Sequence, residues 1–154
     1  MLELKDRIYA IGVQNADLRV FDIIMRTPDG TSYNAYLVKG EKKAALIDTV
    51  KDGFSECYFR SIEEIMPIAD IDYLVVSHTE PDHAGTIARL LDKNPDIQVL
   101  GSVSAIQFTG HIINRPFNSQ VVRKGDSVDL GGRSLSFYPM PNLHWPDTLF
   151  TYDS

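Results

Sequence analysis

The most informative segment of the sequence is Tyr73-Leu74-Val75-Val76-Ser77-His78-Thr79-Glu80-Pro81-Asp82-His83-Ala84-Gly85. It opens with a continuous apolar run rich in β-forming residues, which predicts a buried strand. From Ala84 to Asp92 the apolar residues Ala84, Ile87, Ala88 and Leu91 follow a helical spacing. The polar residues between strand and helix therefore lie in a loop beyond the carboxyl end of a strand, where ligands gather in sheet-based folds.

Metal-capable side chains are concentrated in this loop, at His78, Glu80, Asp82 and His83. Pro81 fixes its own φ angle and disfavours a helical conformation at Glu80, which stiffens the loop. Imidazoles and carboxylates are borderline-to-hard donors that suit iron, manganese or zinc, and the extra carboxylate favours a metal that reaches a higher oxidation state. Three structural alternatives stay open: Asp82 caps the helix, Glu80 is solvated, or His78 is a hydrogen-bonded core histidine.

A second candidate histidine, His144, lies between two prolines and beside the only tryptophan, in Met140-Pro141-Asn142-Leu143-His144-Trp145-Pro146-Asp147-Thr148. Alone, it is compatible with an ordinary loop residue. Together with the first motif it becomes the candidate for a fifth ligand. Asp147 is predicted to hydrogen-bond or cap the loop rather than to bind metal. His111 has no carboxylate nearby in sequence and is interpreted as structural.

The rest of the chain predicts an α/β or α+β fold with a large share of sheet. Helices are expected at 53–67, 84–92 and, more weakly, 102–112. The first of these would bury Cys57 in the core. Strands are expected at 7–13, 19–25, 33–38, 44–49, 73–77, 98–101, 120–123, 127–130, 134–138 and 149–152.

Composition narrows the function classes. The chain has 154 residues, the size of one domain, and 44% of them are hydrophobic. Its net charge of −6 argues against nucleic acid or an anionic membrane as a partner. No apolar run approaches the length of a membrane span, and the first residues lack the pattern of a signal peptide. With a single cysteine, a cytoplasmic location is expected.

The pattern His-x-Glu-x-Asp-His, followed at a distance by His144, resembles the flavodiiron proteins, also called A-type flavoproteins. The likeness extends to Thr31–Val38, Ala45–Val50 and Leu143–Thr148, and covers the whole chain but only the first part of a typical member. It implies an αββα metallo-β-lactamase-like domain with a non-haem di-iron site, followed by a flavodoxin-like domain that carries FMN. It further implies reduction of O2 to water, of NO to N2O, or both, in a cytoplasmic head-to-tail homodimer. An electron donor such as rubredoxin or a flavoprotein would supply the electrons.

By this resemblance, His78, Glu80 and His144 would bind one iron, and Asp82 and His83 the other. The family's bridging aspartate and final histidine ligand would fall beyond Ser154, and so would the FMN domain. Residues 1–154 are thus expected to form a partial di-iron domain, incomplete or inactive alone, with one well-bound metal at best. Many members also have a histidine where this chain has Asp22.

Two other interpretations remain open at the sequence level, so whether this chain alone is an enzyme is undecided. One is a metallo-β-lactamase-superfamily hydrolase, which needs an open metal position and an activated water. Glu80 counts against it, because those hydrolases usually have histidine at that position. The other is a non-catalytic truncated metal-binding module that assembles with another chain through an unpaired strand edge. The sequence does not distinguish O2 from NO as the substrate.

Overall fold

The computed structural model describes residues 2–154. Its strands are β1 (Leu2–Lys5), β2 (Ile8–Ala10), β3 (Val13–Asn15), β4 (Val20–Phe21), β5 (Met25–Arg26), β6 (Thr31–Tyr33), β7 (Tyr36–Lys39), β8 (Ala44–Ile47), β9 (Tyr73–Val75), β10 (Gln98–Gly101), β11 (Ser119–Val121), β12 (Ser127–Asp129), β13 (Ser134–Pro139) and β14 (Leu149–Asp153). Its helices are α1 (Ser55–Glu63), α2 (Pro81–Ala84), α3 (Ile87–Lys93) and α4 (Val103–Ile113), with short 3-10 turns at Asp52–Phe54 and Ile68–Asp70.

The main sheet has seven strands in the order β1-β2-β7-β8-β9-β10-β11. Its first strands pair antiparallel, whereas β8, β9, β10 and β11 run parallel to one another. Parallel neighbours need crossover connections, which here contain the helices. Because parallel strands end at the same edge of a sheet, the segments after β8, β9 and β10 come together there.

A second sheet, β12-β13-β14, is antiparallel and packs against the opposite face of the main sheet from the helices. Strand residues alternate between the two cores, as the two-residue period of a strand requires. Leu37 and Leu46 join the helices in the first core, whereas Val38 and Ala45 join Leu135 and Phe137 in the second. The result is a helix–sheet–sheet arrangement. This confirms the predicted mixed α/β class.

The turn between β7 and β8 ties the two sheets together. Glu41 donates its backbone N–H to the Gly131 carbonyl at 2.7 Å, and Lys42 donates to the Leu130 carbonyl at 3.0 Å. Within residues 2–154, the helices contribute residues only to the first core. No described helix therefore packs on the outer face of the second sheet. None of the helices in this part of the chain is long and apolar enough to span a membrane.

Three local predictions were wrong. The strand expected at 19–25 is a hairpin of β4 and β5, because Asp22 and Ile23 adopt positive φ angles that reverse the chain. The helix expected from Ala84 instead comprises α2 and α3, which meet at Gly85 and Thr86. Cys57 is exposed, because the buried stripe of α1 contains Ser55, Tyr58, Phe59 and Ile62, and Cys57 projects to one side of it.

Candidate metal centre

The loop between β9 and α2 carries four of the five predicted ligands. Glu80 is extended, with φ −60° and ψ 140°, and Pro81 follows as the first helical residue. A proline at this position has no N–H to leave unpaired, and it keeps the preceding residue out of the helical conformation. The Glu80 carbonyl accepts hydrogen bonds from the N–H groups of His83 and Ala84, both at 2.9 Å. The sequence around Pro81 therefore turns the chain sharply from extended loop to helix.

The structure brings His78, Glu80 and His144 together. One donor atom from each lies within 4.8 Å of the others. His144 Nε2 is 3.0 Å from Glu80 Oε2, and His78 Nδ1 is 3.9 Å from the same oxygen. Glu80 and His78 are largely buried, whereas the His144 side chain is 66% exposed. The loop after β13 thus carries its histidine across to the loop after β9.

Asp82 and His83 form a neighbouring pair. His83 Nε2 lies 3.4 Å from Asp82 Oδ2, and the rings of His83 and His78 are 4.8 Å apart between centroids. No side-chain hydrogen bond caps the start of α2, so Asp82 does not act as its cap. His111 is exposed in the last turn of α4 and is not part of this cluster. Two adjacent groups of donors are present, and the role of all five residues as ligands stays a prediction.

The donor set suits a bound cation. Among residues 2–154, three of the buried side-chain atoms that lack a hydrogen-bond partner belong to candidate ligands, namely His78 Nδ1, Asp82 Oδ1 and His83 Nδ1, and Asp147 Oδ1 nearby is another. Buried polar atoms are rarely left unpaired, because desolvation costs them free energy that a partner must offset. Burial lowers the pKa of His78, and His83 lowers it further, while Glu80, Asp147 and Asp82 oppose the shift. A neutral imidazole is the form that binds metal, and three imidazoles with two carboxylates suit iron.

The segment after β8 holds the ligand loop in place. Asp48 has a φ of 58°, and its carboxylate accepts a hydrogen bond from the Ser77 N–H at 2.6 Å. Thr49 donates both its N–H (2.9 Å) and its hydroxyl (2.7 Å) to the His83 carbonyl. Burial raises the pKa of Asp48 to about 6, although the Ser77 N–H and His83 pull it down. The sequence gives no role to Asp48 and Thr49, because their position beside the ligand loop depends on the parallel pairing of β8 with β9.

Asp147 links the two loops that carry candidate ligands. It is fully buried, and its Oδ2 accepts hydrogen bonds from both the N–H and the hydroxyl of Thr79, each at 2.7 Å. The prediction that Asp147 hydrogen-bonds the loop is confirmed. That it does not bind metal stays a prediction.

Known proteins are similar to this chain over the residues that form this site and the strands around it. The model of the family described as "ODP family beta lactamase" matches residues 31–154. The chain belongs to the ODP family. It is 44% identical over 152 residues to flavo-diiron protein FprA2 of Clostridium acetobutylicum, covering 97% of this chain and 38% of the relative. It is also 41% identical over 151 residues to a nitric oxide reductase of Moorella thermoacetica, covering 97% of this chain and 38% of that protein.

The fold of this ODP chain matches solved structures of the same kind. Rubredoxin oxygen:oxidoreductase from Desulfovibrio gigas superposes with a TM-score of 0.93 at 32% identity, over 98% of this chain and 38% of that one. The resemblance to flavodiiron proteins and to the first part of their metallo-β-lactamase-like domain is confirmed. The chain spans between 23% and 38% of the length of the curated relatives it matches.

A cavity of about 580 Å³ opens beside the donors of this ODP chain, between the two sheets. Most of its lining is apolar and includes Tyr36, Ile47, Leu143 and Leu149, while His78 and His144 contribute polar atoms. An apolar wall with few polar groups is the usual form of a site for a small, weakly polar ligand.

Proposed function

We propose that this chain is the first part of the di-iron domain of a flavodiiron oxidoreductase that reduces O2 to water, NO to N2O, or both. His78, Glu80 and His144 hold one iron, and Asp82 and His83 contribute to the second. The observation that carries the proposal is the convergence of three donors from two separate loops within 4.8 Å. A carboxylate among them favours a redox-active metal over inert zinc.

Iron bound here would supply the redox centre at which the gas is reduced with electrons from FMN. The chain's own residues have three tasks. Glu80 supplies negative charge that stabilises a more oxidised metal, and the burial that lowers the pKa of His78 keeps its imidazole neutral. Apolar side chains such as Ile47 and Leu149 give a weakly polar gas a place beside the donors and keep bulk water from it.

We propose further that the bridging aspartate, the last histidine ligand and the FMN domain lie outside these 154 residues. The small share of each relative's length that the chain spans supports this division. Two irons held close together would repel each other and would need a further carboxylate to offset their charge, so these 154 residues would bind the second iron weakly. The similarity to rubredoxin oxygen:oxidoreductase of Desulfovibrio gigas supports rubredoxin as an electron donor. We propose too that the whole protein is cytoplasmic and forms a head-to-tail homodimer.

The test is anaerobic loading of the 154-residue chain with Fe(II), followed by desalting and measurement of retained iron and its dissociation constant. Glu80→Gln and His144→Ala should each weaken binding by about tenfold or more, because the first replaces a carboxylate by a neutral amide and the second removes an imidazole. His111→Ala is the matched control, since it removes an exposed histidine outside the cluster, and should leave binding unchanged.

Two outcomes contradict the proposal. If the wild-type chain retains no iron but binds zinc and hydrolyses esters, the protein is a hydrolase of the same superfamily. If the iron-loaded, reduced chain turns over NO or O2 rapidly without added flavoprotein, the proposed need for an FMN domain is wrong.

A further inference from the structure

The buried carboxylate of Asp147 has no task in the proposed chemistry. It lies three positions after His144, and none of its surface is exposed. A buried carboxylate is costly unless hydrogen bonds compensate its desolvation. Thr79, 68 positions away, donates twice to Asp147 Oδ2, whereas Asp147 Oδ1 is buried without a hydrogen-bond partner among the described residues. Thr79 itself stands between His78 and Glu80.

Asp147 lies in a hydrogen-bonded turn, Trp145–Thr148, that directly follows His144. Thr148 donates its N–H to the Trp145 carbonyl at 3.2 Å, and its hydroxyl lies 3.1 Å from the Trp145 N–H. A further hydrogen bond fixes the backbone of Asp147, because Ser102 donates its hydroxyl to the Asp147 carbonyl at 2.8 Å. Asp147 thus lies inside a hydrogen-bonded turn that His144 immediately precedes.

Two other contacts join the loops. The Leu149 N–H donates to the Ser77 carbonyl at 2.7 Å and fixes the base of the second loop. The contact of His144 Nε2 with Glu80 Oε2 would be replaced by bonds to a metal, since it uses the donor atoms themselves. Of the side-chain contacts that join the two loops, the pairing of Asp147 with Thr79 uses none of the candidate donor atoms, so metal binding does not compete with it.

We propose that Asp147 is a positioning residue, which through Thr79 sets the distance between His144 and the donors His78 and Glu80. This inference rests on the proposed function, because it assigns Asp147 a role toward the metal held by those three residues. Hydrogen-bonded groups around metal ligands commonly change affinity by about tenfold to a hundredfold when removed.

The experiment measures Fe(II) affinity anaerobically and records the visible ligand-field bands of bound Co(II), which report coordination geometry. Asp147→Ala should weaken Fe(II) binding about tenfold or more and alter the Co(II) bands. Thr79→Val removes the hydroxyl donor but keeps the N–H, so its loss should be smaller. Thr79→Ser keeps both donors, and Asp147→Asn keeps an acceptor, so both should bind more tightly than the variants that remove the contact.

The matched control is Asn94→Ala. Asn94 is also buried and donates twice to backbone carbonyls, those of Ile68 and Ile71, but it lies at the opposite edge of the main sheet. It should lower the melting temperature without changing affinity or the Co(II) bands, which separates positioning from general destabilisation.

If Asp147→Ala fails to fold, Thr79→Val and its comparison with Thr79→Ser decide the question. Wild-type affinity and an unchanged Co(II) spectrum in the folded variants overturn the role of Asp147 and leave the proposed function intact. A wild-type chain that binds neither metal overturns the proposed function and this inference with it.

Discussion

At the scale of single residues, Asp48 makes the chain's stability depend on pH. Its pKa rises from an ordinary 3.8 to about 6, chiefly because the carboxylate is buried. The unfolded chain ionises Asp48 above pH 4, whereas the folded chain holds the proton up to about pH 6. Raising the pH between these values therefore favours unfolding. The difference corresponds to roughly 3 kcal/mol, so Asp48→Asn should gain about that much stability over wild type between pH 4 and 7.

The measurement is urea unfolding at several pH values with EDTA present, so that no metal contributes. Asn can still accept the Ser77 N–H, which preserves the local hydrogen bond. Asp70→Asn is the control, because it neutralises an exposed acid and should show no such gain. A constant difference between wild type and Asp48→Asn from pH 4 to 7 would contradict the raised pKa.

Residue spacing was enough to select the donor cluster but not to explain how it is held. The loop around Pro81 is local, so its stiff geometry follows from short-range sterics. The position of His144 beside Glu80 depends on how the two sheets pack. The sequence alone could therefore identify His144 only as a candidate ligand. The roles of Asp48 and Thr49 depend on which strands are neighbours. Cys57 was misplaced because an error of one helical position turns a side chain by about 100°.

At the scale of elements, the junction of α2 and α3 at Gly85 determines where His83 lies. A Cβ at Gly85 would meet the Pro81 carbonyl oxygen at 2.6 Å and the Asp52 nitrogen at 2.7 Å. Both are backbone atoms, so they cannot rotate away as a side chain would. Gly85→Ala should destabilise the fold by about 1–3 kcal/mol and weaken iron binding, because α2 must move.

Gly53→Ala is the matched control, since a Cβ there has no described neighbour within 4 Å. It should be neutral or stabilise slightly, because alanine loses less chain entropy on folding. Denaturant unfolding and Fe(II) titration of both variants test the difference. Equal free energies of unfolding for Gly85→Ala and Gly53→Ala would contradict the predicted steric clash at the junction of α2 and α3.

Helical periodicity predicted α1, and a weaker helical pattern at 102–112 predicted α4. Periodicity failed at 19–25, where the apolar residues suggested one strand. Ile23 and Ile24 are in fact 93% and 87% exposed, so their apolar character did not report burial. A positive φ at a β-branched residue is rare, and no propensity rule would place it at Ile23.

At the scale of the whole molecule, the layers were predictable and the surface of the second sheet was not. A strand that is a continuous apolar run, such as the one from Tyr73 to Val76, implies a sheet covered on both sides. Which side receives helices depends on the handedness of the crossovers, a property of the assembled sheet. The outer face of β14 leaves Phe150 and Tyr152 exposed, beside a groove of about 390 Å³ formed with Tyr138 and Met140.

This face and the outer edge of β14 predict that the 154-residue chain self-associates. In the described part of the chain β14 pairs only with β13, and unpaired edges with apolar side chains invite pairing with another copy. The net charge of −6 opposes association, so added salt should increase the mass measured by light scattering. Tyr152→Lys should restore the monomer, whereas Ile112→Lys, with the same charge change on α4, should not. Because either lysine lowers the repulsion between copies, dissociation by Tyr152→Lys alone would identify the strand rather than the charge. A monomer at every concentration and salt level would contradict the prediction.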